Sequence, residues 1–591
     1  MYRNAICQRQ KQTVNDISNS LHDSLILKNQ VNFWKTWKSK FGIKNSLPLF
    51  INGKSGNNDI CEEFAKSFST ACSPNSEERN SKLHSEFVEL KASYYSGDDE
   101  HRVYSKTVAT VELIDHIVNN LQRGKAASVD NLTAEHIMYC HPIIVSVITK
   151  LFNLMLYYNY VPNDFGMSLT VPIPKCNNSI ASTTDDFRGI TISPVISKIF
   201  ENFLLNKYGE FLGSSDFQFG FKKDSSCNHA VYSVRKSIEY FVERQSTVSV
   251  CAIDVSKAFD RVNKYGLFIK LMKRNCPIEL INILDSWYEK CYTCIKWGTA
   301  MSIYVKLTAG VRHGGILSPA LFAVYVNDIL LLLHNSKLGC HINQLCCNSF
   351  MYADDLLLLS ISICDMQKMI DLCQTELEWL DLRINIKKTS LLRIGKRCKV
   401  ITNDILILNV PITKNDEIRY LGIYIENAAT FRCNMHHSKV KYFRCLNGIL
   451  GKIGTTAHTD VILSLASSFA APVLLYCLDT ACLKTSELDK LNYTFRSIYV
   501  KLFSTFDVKI IDQCMFYTWQ LPLKLLVHLR CLNFFYRLSL SACSPASLMF
   551  KRLGVRERQS IASLYDISEN DNPHLFKTKI WSKFGSNISA V

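Results

Sequence analysis

The 591-residue chain lacks the marks of several common protein classes. Its start, MYRNAICQRQKQ, is polar and basic and has no apolar core of a secretory leader. Among 23 cysteines the one close pair is Cys291 and Cys294. No second pair or histidine stands at zinc spacing, and the adjacent Cys346 and Cys347 supply none. A disulfide framework or zinc module is therefore not expected, and free, mostly buried thiols in a reducing compartment are. Internal repeats and low-complexity tracts are missing. Long uncharged runs are nearly missing too: one extends from Val461 to Leu478, between Asp460 and Asp479. It is long enough to consider for a bilayer. Ser464, Ser467, Ser468 and a central Pro472 favour a buried helical corner instead, and a soluble protein is expected.

What remains is a globular composition, 47% hydrophobic and 20% charged. The length predicts several packed units rather than one core. Lys and Arg number 68 against 52 Asp and Glu, a net charge of +16. That excess suits a polyanionic partner, and charge alone does not separate nucleic acid from an anionic membrane or from a merely solvated basic surface. Residues 1–105 are polar, with loop-like stretches at 51–59 (INGKSGNND) and 73–82 (SPNSEERNSK) and a short amphipathic helix around Trp34 and Trp37. Helical periodicity begins near Val111 and a helix ends at Pro162. A strand is expected over 168–175, and another over 247–254, where Val248, Val250, Ala252 and Asp254 share one face. SFMYADDLLLLSISI is a further β-rich segment. Beyond about residue 430 the pattern is predominantly helical.

Three carboxylates carry the chemistry. Asp354 and Asp355 are adjacent inside an apolar run, where two ionised acids cost several kcal/mol each without compensation, and a divalent cation compensates them. Neighbouring residues of a regular strand face opposite ways, so a hairpin turn at the pair is expected to bring both acids to its tip. The dipeptide alone could be an ordinary exposed turn. Asp254 alters that balance, because it ends a second strand-like run before a helix entry, VSKAFDRV. Acids from two strand ends can share two metals about 4 Å apart, the arrangement of phosphoryl transfer. Asp260, six residues on, reads as structural, pairing with Arg261 or a neighbouring helix.

AIDVSKAFDRV, GVRHGGILSPALFAVYVNDI and FMYADDLLLLS, in this order and spacing, resemble the central palm motifs of reverse transcriptases, most closely those of non-LTR (LINE-type) retrotransposons. VPIPK, DDFRGITI and FQFGFKKDSS are similar to the fingers and fingers-to-palm segments, LRINIKKTS and EIRYLGIYI to later palm and primer-contacting segments. The resemblance covers roughly 110 to 430. It implies an α+β right-hand polymerase fold: fingers, ferredoxin-like palm and helical thumb, with a mainly helical C-terminal region. The expected divisions are 1–105 as an N-terminal linker, 106–430 as fingers and palm, and 431–591 as thumb and C-terminal region. The implied activity is RNA-directed DNA polymerisation, with RNA template, DNA primer and dNTPs as partners and no membrane. Two Mg2+ ions, replaceable by Mn2+, are the implied cofactors. An intracellular ribonucleoprotein in nucleus and cytoplasm follows from the family.

Residue by residue, the resemblance makes Asp254, Asp354 and Asp355 the metal ligands, with Asp354 the more direct of the adjacent pair. Phe259 matches the steric gate against a ribose 2′-hydroxyl; a core aromatic on a helix face is its plainer reading. Lys175 and Arg188 match the residues that grip the triphosphate, for which a point charge and a planar fork are suited. Gly314, Gly315, Ser318 and Pro319 match the loop against which template and nucleotide lie. Tyr352 is expected under the primer terminus, and Tyr420, Leu421 and Gly422 in the hairpin that grips it. Lys388 matches the lysine that protonates pyrophosphate, with Lys387 as rival. Three positions depart from the family: His313 replaces a Gln that braces the nucleotide, Gly189 replaces Pro and implies a looser loop, and Asn131 stands where Gly is common, at a φ > 0 position Asn tolerates. No room for an upstream endonuclease is seen, and no Cys/His knuckle or RNase H carboxylate set follows the thumb region. Two other readings stay open. One is a non-catalytic RNA-binding protein descended from such an element, against which the intact acids argue. The other is a group II intron or telomerase-like reverse transcriptase, whose added domains are not seen.

Overall fold

A computed structural model describes residues 2–42, 47–96, 108–175, 181–312, 314–454, 457–481, 483–541 and 544–589. The N-terminal residues form packed helices. Helices α1 (Tyr2–Ile26) and α2 (Gln30–Phe41) precede α3 (Asn57–Ala71) and α4 (Glu77–Ser96). Phe33 and Trp37 of α2 are buried, and the Trp34 ring meets Phe469 edge-on at 5.4 Å. The stretch 73–82, expected as a loop, instead begins α4. Ser76 Oγ accepts the Arg79 N–H (3.2 Å), and Glu77 and Glu78 sit in the first turn, where the helix dipole favours them. Its polar residues hid the helix because α4 buries only a narrow stripe, including Leu83 and Phe87 four residues apart. The expected boundary at 105/106 lies outside the described residues.

Two sheets position the site. Strands β1 (Met167–Pro174) and β2 (Phe187–Ile192) form an antiparallel hairpin in which Ile173 pairs with Arg188. Gly189, expected in a loosened loop, is inside β2 opposite Pro172, because a Cβ there would press Phe68 of α3 at 3.1 Å. Helices α5 (Val195–Tyr208) and α6 (Cys227–Glu243) lead into β3 (Val248–Ile253). Strand β4 (Tyr292–Trp297) returns to the first sheet, parallel to β1, and Thr170 bonds both Thr191 (2.8 Å) and Thr293 (2.7 Å) across three strands. Asn131 has φ +56°, as its position predicts.

The chain next forms α7 (Ser318–Asn335), the hairpin β5 (Ser349–Tyr352) and β6 (Asp355–Ser360), α8 (Ile363–Trp379) and β7 (Ser390–Ile394). The second sheet runs β5-β6-β3-β7 with antiparallel neighbours, followed by a short parallel strand at 413–414. With helices between β3 and β5 and between β6 and β7, this is the β-α-β-β-α-β order of a ferredoxin-like palm. Leu356 to Leu359 are all buried, and so are Ser249 and Cys251 between the expected inward residues of β3. Strict alternation fails because the strands are covered on both faces.

Hairpin β8 (Glu417–Tyr420) and β9 (Ile423–Glu426) follows, then helices. The uncharged run becomes helix Thr459–Leu465, a π-helical turn over Ala466–Ala470, and a short helix Ala471–Leu475 holding Pro472. By length and composition Thr459–Ala481 could cross a membrane, but 61% of its apolar window is buried inside the fold, much as a helical corner requires. It packs against α1: His458 N–H donates to Ser18 Oγ (3.1 Å), and His22 Nδ1 bonds the Asp460 carboxylate (2.7 Å). Among the described residues the thiols are free and mostly buried, Cys291 and Cys294 among them.

Candidate active site

The palm hairpin closes with a two-residue turn. Tyr352 pairs with Asp355, which leaves Ala353 and Asp354 as the turn, with Ala353 at φ +56°. The acids are therefore offset from the expected shared tip: Asp354 is in the turn and Asp355 opens β6. Across the sheet Leu356 pairs with Ile253, so one step further Asp355 stands opposite Asp254, the residue after β3. Three carboxylates thus gather at adjoining strand ends. Burial pushes the Asp355 carboxyl up to about 6, the charges of Asp354 and Asp254 add to the rise, and Arg419 opposes it. Burial also raises Asp354; its own backbone amide and Arg188 pull it down against the charge of Asp254. Asp254 is fixed by its main chain, with its N–H donating to Thr389 Oγ1 (3.3 Å) and its carbonyl accepting the Asn385 N–H (2.8 Å). A site that raises its own acids by burial and mutual repulsion has the donor set of a divalent-cation site.

The structure brings two of the other expected residues, Lys388 and Arg188, to this centre, and places the rest around it by other contacts. Lys388 Nζ lies 3.8 Å from Asp254 Oδ2. Arg188 is close enough to act on Asp354, and Lys175 leaves the same hairpin on the other strand, its Nζ donating to the Asp185 carbonyl (2.6 Å). Phe259 is half-buried, stacked on Phe322 (4.1 Å, 23° between planes) and met edge-on by Phe221 at 5.9 Å. Gly314 has φ +79°, and a Cβ there would sit 2.0 Å from the Thr191 carbonyl oxygen, so only glycine lets this loop touch β2. Ser318 Oγ donates to the Arg312 carbonyl (2.6 Å), closing the loop before α7. His313 lies outside the described residues. Tyr352 is half-buried at the end of β5.

Tyr420 departs from expectation. Its side chain is buried, its hydroxyl is raised by burial and by the nearby Asp355 charge, and the turn that follows is half-buried Leu421 (φ +45°) and exposed Gly422 (φ +86°). Side chains alternate along a hairpin, and Tyr420 has the inward parity of Ile418.

Four contributors escaped the sequence reading. Tyr476 donates from its hydroxyl to the Leu421 carbonyl (2.8 Å), tying the C-terminal region to that turn. Arg419 faces Asp355. Glu201 of α5 and Arg312 form a buried pair at 2.9 Å, and Arg312 also donates to the Phe165 carbonyl (2.7 Å) above the Trp287 ring. The Glu201 carboxylate also accepts the Ile316 N–H. Gln218, within the FQFG run, reaches the Ala353 turn. Gln218, Arg312 and Arg419 lie inside segments that carried a sequence signal, but what each pairs with is set by contacts between distant segments. The carboxylate oxygens of Asp254, Asp354 and Asp355 do not all approach within 4.8 Å of one another; among the described residues the one group of donor atoms that does is His22, His458 and Asp460. Its rings are stacked 4.0 Å apart at 3°, so their in-plane nitrogens do not converge on one ion, and the group serves as a pin between α1 and the Thr459 helix.

A ferredoxin-like palm with carboxylates at neighbouring strand ends, beside an arginine of the fingers hairpin, is the layout of the right-hand polymerase fold. Residues 173–425 match the family "Reverse transcriptase (RNA-dependent DNA polymerase)". The chain is 25% identical over 296 residues to the Pol polyprotein of a type-2 retrotransposable element of Drosophila melanogaster, covering 49% of this chain and 28% of that one. It is 24% identical over 344 residues to the RNA-directed DNA polymerase from mobile element jockey of Drosophila funebris, covering 55% and 36%. The match therefore spans about a third of the length of these relatives. An apo telomerase from Candida tropicalis superposes at a TM-score of 0.34 with 11% identity, over 64% of this chain and 71% of that one; the fold assignment rests on strand order instead. Residues 173–425 are thus similar to the reverse transcriptases, a family that normally uses divalent metal ions, and the relatives matched are polymerases of retrotransposable elements.

Proposed function

We propose that the chain copies an RNA template into DNA by adding dNTPs to a DNA primer, with two Mg2+ ions, or Mn2+ in their place, held by Asp254, Asp354 and Asp355. The observation that carries this reading is the meeting of Asp254 and Asp355 across β3 and β6 with Asp354 in the adjoining turn. When bound, the ions would lower the pKa of the primer 3′-hydroxyl and neutralise the leaving pyrophosphate. In the reaction the 3′-oxygen bonds the α-phosphorus as the bond to the β-phosphate bridging oxygen breaks. Lys388, beside Asp254, is placed to give a proton to the departing pyrophosphate. Lys175 and Arg188 grip the triphosphate from the fingers hairpin, and Phe259 lies under the sugar. The turn Leu421–Gly422, braced by Tyr476, bears on the primer, and Tyr420 supports it from within. The enzyme would work as an intracellular ribonucleoprotein, in nucleus and cytoplasm.

The test is primer extension on poly(rA)/oligo(dT) with Mg2+ or Mn2+. Asp254→Asn and Asp354→Asn should abolish extension while the protein still folds and binds RNA. Substantial polymerisation by either variant sinks the assignment.

A further inference from the structure

Segment 217–220 runs beside β5 as an added edge. Phe219 N–H donates to the Met351 carbonyl (2.8 Å), Met351 N–H donates to the Phe217 carbonyl (2.9 Å), and Gln218 bridges Met351 in parallel register. Gln218 itself is 1% exposed. Its Oε1 accepts the N–H of Ala353 (2.9 Å) and of Gly220 (2.9 Å), while its Nε2 donates to the Ala353 carbonyl (3.2 Å). One primary amide thus engages both polar groups of a single peptide residue, and the two N–H donors dictate which way the amide is turned. The approach is backbone against backbone, since a Cβ on Gly220 would lie 2.5 Å from the Ala353 nitrogen.

Ala353 is the residue that needs holding. It carries φ +56°, a region an alanine seldom adopts, immediately before Asp354. We propose that Gln218 is a positioning residue for the metal-binding turn, locking Ala353 in the left-handed conformation that aims Asp354 at the site shared with Asp254 and Asp355. The proposal rests on the polymerase reading of those acids. Asp354 has no strand partner of its own, whereas Asp355 is anchored at the start of β6 beside β3. Releasing the amide therefore misdirects Asp354 first. An aliphatic residue at 218 leaves the Ala353 N–H and C=O without partners, and a glutamate keeps the acceptor but sets a second oxygen against the Ala353 carbonyl.

The experiment compares wild type, Gln218→Met, Ala353→Gly and the double variant. Methionine keeps the volume and removes the hydrogen bonds; glycine accepts φ > 0 without the steric penalty of a Cβ. Mn2+ binding to the nucleotide-free full chain is measured by electron paramagnetic resonance, alongside primer extension against metal and dNTP concentration. Q218M should bind Mn2+ about tenfold more weakly, the equilibrium shift that ~1.4 kcal/mol produces. Half-saturating metal for extension should rise in parallel, with the dNTP KM nearly unchanged. Adding A353G should recover a substantial part of the loss. Wild-type Mn2+ affinity in Q218M overturns the proposal. So does a loss that tracks melting temperature and is not relieved by A353G, which would be a purely structural effect. Should Q218M precipitate, Gln218→Asn, which withdraws the same amide by one methylene, carries the same expectation. If the wild type binds Mn2+ at these acids yet extends no primer, the polymerase reading fails while the affinities still decide the role of Gln218. Unchanged Mn2+ binding in D354N overturns it outright.

Discussion

Glu201→Gln tests how the loop leading into α7 is held. Glu201 and Arg312 are both nearly sealed from solvent, 1% and 8% exposed, and meet at 2.9 Å. Each has a second duty: Glu201 accepts the Ile316 N–H, and Arg312 donates to Phe165 and lies 4.2 Å over the Trp287 ring. Removing one charge leaves a buried guanidinium facing a neutral amide, and breaking such a pair typically costs about 3–5 kcal/mol. The glutamine oxygen still accepts one hydrogen bond, so the lower end, about 3 kcal/mol, is expected. The double variant Glu201→Met/Arg312→Met removes both charges. It should regain part of that loss, leaving roughly 2 kcal/mol for the unpaired Phe165 carbonyl and Ile316 N–H. Denaturant unfolding followed by tryptophan fluorescence reads this locally, because Trp287 is part of the contact. Losses that simply add in the double variant, or a single-variant loss below about 1 kcal/mol, would refute the buried-pair account.

Phe259→Val should raise the ratio of rNTP to dNTP incorporation by at least about tenfold, a transition-state change of ~1.4 kcal/mol. If the ring only fills the cleft between Phe322 and Phe221, soluble protein and both activities fall together and the ratio stays put. Mn2+ binding should weaken about tenfold between pH 7 and pH 5, since a carboxyl titrating near 6 is mostly ionised at the first and mostly protonated at the second. Equal affinity at both pH values would mean that Asp355 does not contact the ion. With a net charge of +16, template–primer affinity should drop steeply with salt as counterions are released; a flat dependence excludes a phosphate-tracking groove.

The candidate acids stood out because their signal is local: charged residues inside apolar strand-like runs are anomalous wherever they fold. The ferredoxin-like palm was legible only through the resemblance of its motifs to those of reverse transcriptases. Finer placement was not. Hairpin register decides that Asp354 occupies the turn and Asp355 the strand, and it is set by pairing of β6 with β3 about a hundred residues away in sequence. Hairpin parity decides that Tyr420 faces inward, and the motif alone does not state parity. Gly189 looked like loosened loop because the packing of Phe68 on it comes from α3, far upstream. The Glu201–Arg312 pair spans 111 residues and left no pattern in either segment. The N-terminal helix α4 was missed for the opposite reason: a local polar composition outweighed two buried apolar residues one turn apart.

The packing of α1 and α2 against the Thr459 helix also sets a clock on synthesis. His22 bonds Asp460, 438 residues later, and Trp34 and Trp37 meet Phe469 later still. At ribosomal speeds of about 5–20 residues per second, roughly 20–90 s separate the emergence of the first helix from that of its partner. Through that interval Phe33, Trp34 and Trp37 have no completed core to enter, while the fingers and palm emerge between them and their destination. The faces of α1 and α2 that meet the Thr459 helix are therefore completed only after the palm that lies between them in sequence has been made.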